Sequence, residues 1–151
     1  EMSASLVGSE MCIRDSNSIS SMPKTPQSSL ILTLTHFIES CQKEKKEMAA
    51  SGIFNVNTAM MNITISAFFA LPKMREYAFN WLSQEKVVWM NILEKAKELK
   101  EIRSDINVEL FASIFENVFL GSYLSGIVYT DGYKIEQLER EVMQIYQLIK
   151  A

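Results

Sequence analysis

The sequence predicts an all-α domain, and three observations carry that reading. Apolar residues recur at three- and four-residue spacing in five successive segments. Helix-stopping or helix-capping residues, Gly52, Pro72, Asn107 and Gly132, divide those segments. No stretch alternates apolar and polar residues with the period of a strand. The chain has 151 residues, 48% hydrophobic and 22% charged, enough for one domain with a real core and too apolar for intrinsic disorder. Two cysteines are too few for a disulfide scaffold, and a net charge of −3 without a basic block gives no footprint for gripping nucleic acid.

The front of the chain reads differently from the rest. Residues 6–16, LVGSEMCIRDS, resemble the in-frame translation of a transposase adapter used in preparing sequencing libraries, so residues 1–16 are expected to be non-native. Setting them aside removes three acids, Glu1, Glu10 and Asp15, and one base, Arg14, and the net charge moves from −3 to −1. Cys12 goes with them. Cys41 then stands alone, which excludes an internal disulfide and suits a reducing, cytoplasmic compartment. Residues 17–25, Ser-rich and broken by Pro23, read as a disordered lead-in, and residues 26–151 as the helical domain of a protein expected to continue further toward its N-terminus.

Thr25 and Pro26 form a cap followed by a proline at the first helical position, and Leu30, Leu34, Phe37, Ile38, Cys41 and Met48 follow at helical spacing up to Gly52, so the first helix is expected over 26–51. From Met48 to Pro72 no residue is charged. The apolar part, 58–71, is too short to span a bilayer and carries Asn62, so it is expected to be a buried central helix. Beyond Pro72 a stripe through Met74, Tyr77, Trp81, Val88, Trp89, Ile92 and Leu99 predicts a third helix over 73–100. Arg103 to Asn107 breaks the periodicity and supplies Asn107 as the N-cap of a fourth helix over 108–129, with Glu109 in its first turn. That helix is apolar over more than half its circumference, which calls for a second apolar partner surface. After the turn at Thr130, Asp131 and Gly132, the fifth helix places Ile135, Leu138, Val142, Ile145, Tyr146 and Ile149 on one stripe.

Catalytic chemistry is scarce. His36 is the single histidine and falls on the polar side of the first helix, so no histidine-based metal site or nucleophile-base pair is expected. Cys41 lies in an apolar stripe and reads as a small buried hydrophobe. No phosphate-cradling glycine motif and no calcium-loop spacing occurs, and the chain is expected to be no enzyme and to need no cofactor or metal. Glu85 is the odd placement: a carboxylate in the middle of the third helix's apolar stripe, a turn from Trp81 and Trp89. It reads as the partner of Lys45, similarly placed on the first helix, as a carboxylate snorkelling outward to solvent, or as a pocket carboxylate facing a cationic ligand.

Residues 99–128, LKEIRSDINVELFASIFENVFLGSYLSGIV, resemble the junction before the penultimate long helix of TetR/AcrR-type transcriptional regulators: an Arg-x-Asp turn, a short cap, an alanine and a glycine nine residues later, here Arg103, Asp105, Asn107, Ala112 and Gly121. The family usually has Gly or another small residue where this chain has Lys100. The resemblance implies a five-helix regulatory domain whose last two helices form a four-helix bundle with a second subunit, with Phe111, Val118, Gly121, Tyr123, Leu138, Val142, Ile145 and Ile149 at that homodimer interface. Gly121 and Gly126 would be positions of close approach. It also implies an apolar or amphipathic effector held among the first four helices by Met61, Thr64, Phe68, Tyr77, Trp81, Glu85, Trp89 and Phe115. DNA would be reached only through an N-terminal helix-turn-helix that this chain lacks before residue 26. Two other readings stand beside this one. A free-standing helical protein-interaction module would dock a partner on the fourth helix, and a genomic reading frame starting at Met22 would favour it. A membrane-associated hairpin would use 48–72 and 110–130, against which stand Glu116 and Asn55, Asn57 and Asn62.

Overall fold

The computed structural model describes residues 29–52, 55–71 and 73–151, so the readings of 1–16 and 17–25 lie outside the described residues. The five segments form five helices: α1 (Leu30–Ala50), α2 (Val56–Ala70), α3 (Lys73–Glu98), α4 (Val108–Ser125) and α5 (Ile135–Ile149), with a 3-10 turn at Gly126–Val128 between the last two. The fold is all-α, as the periodicity predicts, and among the described residues there is no strand beyond one isolated bridge, Ile102 to Lys150. Helix α3 packs along α4, α5 packs on both α1 and α4, and α2 lies against α3 and the 3-10 turn.

The core forms where the apolar stripes of α1, α3, α4 and α5 meet. Leu30, Leu34, Ile38 and Cys41 from α1, Trp89, Ile92, Leu93 and Ala96 from α3, Ala112 and Phe115 from α4, and Leu138, Val142, Tyr146 and Ile149 from α5 make one buried cluster. Their spacing of three and four residues turns one side of each helix inward, and burial of this much apolar surface is the chief source of stability. His36 is exposed and Cys41 buried, as their places on α1 predict.

The helix ends follow local chemistry. Asn55 and Asn107 cap α2 and α4, each side-chain oxygen accepting from the backbone N–H three residues on, both at 3.0 Å. The α2 cap therefore sits at Asn55, and the helix starts two residues before 58. Helix α1 ends at Gly52 in the left-handed region, φ +82°. Helix α3 ends with the Glu101 N–H on the Ala96 carbonyl and the Lys100 N–H on the Lys97 carbonyl. That is a Schellman closure, and it puts Lys100 at φ +56°.

Two expectations are corrected. Helix α2 is not a buried central helix: among its described side chains Asn62, Ile63, Ser66 and Phe69 are exposed, Phe69 by 80%. Its composition is that of a core helix, but α3 and the 3-10 turn cover only part of its circumference. Helix α4 stops at Ser125 and tightens into the 3-10 turn, because Gly126 backs onto Tyr133; a Cβ on Gly126 would lie 2.5 Å from the Tyr133 backbone nitrogen. Within this chain nothing lies within 4 Å of where a Cβ on Gly121 would be.

Candidate functional site

The densest chemistry lies between α3 and α4. The Trp89 indole stacks on the Phe115 ring, centroids 5.1 Å apart and planes 11° from parallel. Phe37 of α1 meets Trp89 edge-on at 5.9 Å and Phe119 edge-on at 5.3 Å, and the series continues through Tyr123 to Tyr133. Edge-on and offset contacts of this kind add to simple burial because ring edges are positive and ring faces negative. Helical spacing builds the series: Phe115, Phe119 and Tyr123 are successive turns of α4, and Trp89 faces them from α3.

Glu85, one turn before Trp89, is half-buried at this seam. Burial pushes its carboxyl up to about 7, and the charge of Glu116 across on α4 adds to the rise. Glu116 is also raised, by burial, with nearby Lys86 opposing. Lys86 itself reaches away to Glu109, 2.9 Å from its carboxylate oxygen. The expected Lys45–Glu85 pair does not form: the Lys45 ammonium donates to the Tyr133 carbonyl at 2.9 Å and lies 5.8 Å from the centre of that ring. Position in a stripe put both residues inward, but α1 and α3 point them at different neighbours.

Of the eight residues expected around an effector, Glu85, Trp89 and Phe115 come together. Trp89 is 3% and Phe115 1% exposed, and they fill the α3–α4 seam against each other as core residues, where a cavity lining was expected. Tyr77 is exposed near the start of α3 and Thr64 is half-buried on α2. The side chains of Met61, Phe68 and Trp81 lie outside the described residues. Two concavities lined by described residues lie elsewhere. One, of about 490 Å³, is bordered by Lys97, Lys100 and Arg103, the other, of about 260 Å³, by Lys86, Asn107 and Glu109. Neither includes a residue expected to hold the effector. Among the described residues no group of three or more metal-ligating side chains converges.

The residues expected at a subunit interface divide. Leu138, Val142 and Ile149 belong to this chain's own core and are removed from the interface, because the stripe they form faces α1 and α4. Tyr123 packs between Phe119 and Tyr133, inside the aromatic series. Phe111, Val118 and Ile145 pack partly on the core, and Gly121 faces open space. What periodicity adds on α4 is a second stripe, Leu110, Ile114, Asn117, Gly121 and Leu124, on the side away from Ala112 and Phe115, with Val128 following in the 3-10 turn. Leu124 is 51% and Val128 80% exposed. Among the described residues, Val108–Val128 is the one helical stretch long and apolar enough to cross a membrane by length and composition. The outward side of α5 is mostly polar, with Leu148 its exposed apolar residue.

Sequence reasoning passed over Glu101, and it took Phe37 only as a stripe residue and Glu116 only as a charge opposing a membrane hairpin. Glu116, a charge inside an otherwise apolar helix, was the legible one. Comparison of the chain with protein-family models, with curated proteins and with solved structures finds no match.

Proposed function

We propose that this chain is the effector-sensing and dimerisation domain of a TetR-like transcriptional repressor, dimerising through α4 and acting on DNA through a helix-turn-helix that precedes α1 in the parent protein. The observation that carries the reading is the outward stripe of α4. Leu110, Ile114, Gly121 and Leu124, continued by Val128 in the 3-10 turn, form a largely apolar ridge interrupted by the exposed Asn117, beside a face already satisfied by the core. A helix apolar on both sides leaves one side to be covered, and a second copy crossing at Gly121 covers it with backbone-close packing. A two-fold arrangement sets the same ridge against itself, which suits an apolar stripe better than a charged one. The mostly polar outer face of α5 makes α4 the main contributor.

The effector is an apolar or amphipathic molecule reaching the α2–α3 side of the aromatic series, where Glu85 is its one ionisable contact. Regulation requires that it bind one arrangement of the helices more tightly than another. Leu124→Glu separates the readings. In a dimer through α4 the substitution produces a folded monomer, seen as a halved mass with an unchanged helical spectrum. If the chain is equally monomeric before and after the change, this reading fails.

A further inference from the structure

The start of α1, the α3–α4 junction and the end of α5 meet at one residue, Glu101. Its carboxylate accepts the Leu30 N–H at 2.6 Å on Oε2 and the Ile31 N–H at 3.0 Å on Oε1, across 70 residues of sequence. The same stretch is strapped to the end of α5. The Glu101 carbonyl accepts from the Ala151 N–H at 3.0 Å, the Arg103 N–H donates to the Ile149 carbonyl at 2.8 Å, and Ile102 bridges to Lys150. Tyr146, in the last turns of α5, has its phenol raised by burial first, and then by the charge of Glu101 and a hydrogen bond to it.

Among the described residues helix α1 has no local substitute for this contact. Its N-cap, Ser29, makes no side-chain bond to the helix, and its first turn contains no acidic residue. The free N–H groups and the positive end of the helix dipole are therefore met by a carboxylate whose backbone is positioned by α5.

We propose that Glu101 is a relay that couples the seating of the last turn of α5 to the order of the first turn of α1. A change that loosens α5 at Tyr146 releases the Leu30 and Ile31 amides, although neither residue touches α5 through its own amide. The relay gives the regulatory reading above a route between α5 and whatever precedes α1. It rests only on contacts within this chain and stands or falls separately from dimerisation and effector binding.

The test is amide hydrogen exchange, read by NMR on the full chain without ligand or DNA. Glu101→Ala is expected to speed exchange at Leu30 and Ile31 by about tenfold or more, the scale of a lost charge-assisted hydrogen bond. Exchange at Leu93 and Phe115 in the core, which open with the whole fold, should rise by no more than the variant's loss of unfolding stability accounts for. Tyr146→Phe, which removes one hydroxyl and leaves Glu101 intact, is expected to speed exchange at the same two amides by a smaller factor. In Glu101→Gln the Tyr146 phenol should ionise at lower pH, followed through its labelled ring carbon. Should Glu101→Ala not fold, Glu101→Gln and Tyr146→Phe decide. Unchanged exchange at Leu30 and Ile31 in Tyr146→Phe would overturn the relay, as would a uniform acceleration of all amides in Glu101→Ala.

Discussion

The Glu101 carboxylate caps the N-terminus of α1, its Oε2 lying 2.6 Å from the Leu30 amide nitrogen. One side chain from the α3–α4 junction thus supplies what Ser29 and the first turn of α1 do not. Glu101→Ala is expected to cost about 1.5–3 kcal/mol, as for loss of a hydrogen bond to a charged group. Glu98→Ala, which removes an exposed partner of Lys95, should change stability by no more than about 0.5 kcal/mol. Urea unfolding followed by circular dichroism measures both. Equal effects would mean that the cap contributes nothing specific.

Lys100 closes α3 at φ +56°, a conformation that costs a side-chain-bearing residue energy and costs glycine none. Lys100→Gly is therefore expected to raise stability by about 0.5–1 kcal/mol, with the midpoint of urea unfolding moving up at constant slope. A loss of stability would show that the lysine side chain offsets the strain.

Gly126 is the counterexample, a glycine required by contact at an ordinary backbone angle. A methyl group there meets the Tyr133 backbone nitrogen at 2.5 Å, and the backbone yields less readily than a flexible side-chain tip. Gly126→Ala is expected to destabilise by about 1–3 kcal/mol, whereas Gly121→Ala, in open space, should be neutral or slightly stabilising in a monomer. Thermal unfolding of the two variants side by side distinguishes them.

The Glu85 carboxyl titrates near 7 in the folded chain, well above an ordinary glutamate. Between about pH 4.5 and 7 the folded state then binds more protons than the unfolded state, so this residue makes stability fall as pH rises through that window. Glu85→Gln is expected to flatten that slope and to be more stable than the parent at pH 8. The gain should be about 1–2 kcal/mol once screening by solvent at a half-buried group is allowed for. Unfolding free energies at pH 5 and pH 8 decide, and parallel pH dependence in parent and variant would refute the assignment.

The sequence makes legible what is local or periodic. The Asn107 cap acts over three residues, and the stripe from Ile135 to Ile149 is written at constant spacing, so both could be read directly. Glu101 could not be read, because its partners on α1 lie 70 residues away and nothing near it in sequence marks them. Glu85 lies between these cases: its intrusion into an apolar stripe was visible, but helical periodicity does not say which helix lies opposite, and the neighbour is Glu116 where Lys45 was expected. Helix α2 fails for a related reason. An uncharged helix states that its surface avoids water, while what covers that surface depends on packing the periodicity does not encode.

The central claim is that the outward ridge of α4 meets a second copy, and sedimentation equilibrium of the chain at micromolar concentration tests it most directly. The account predicts the mass of a dimer for the parent and of a folded monomer for Leu124→Glu. A parent chain that sediments as a monomer of 17.2 kDa throughout that range would contradict it.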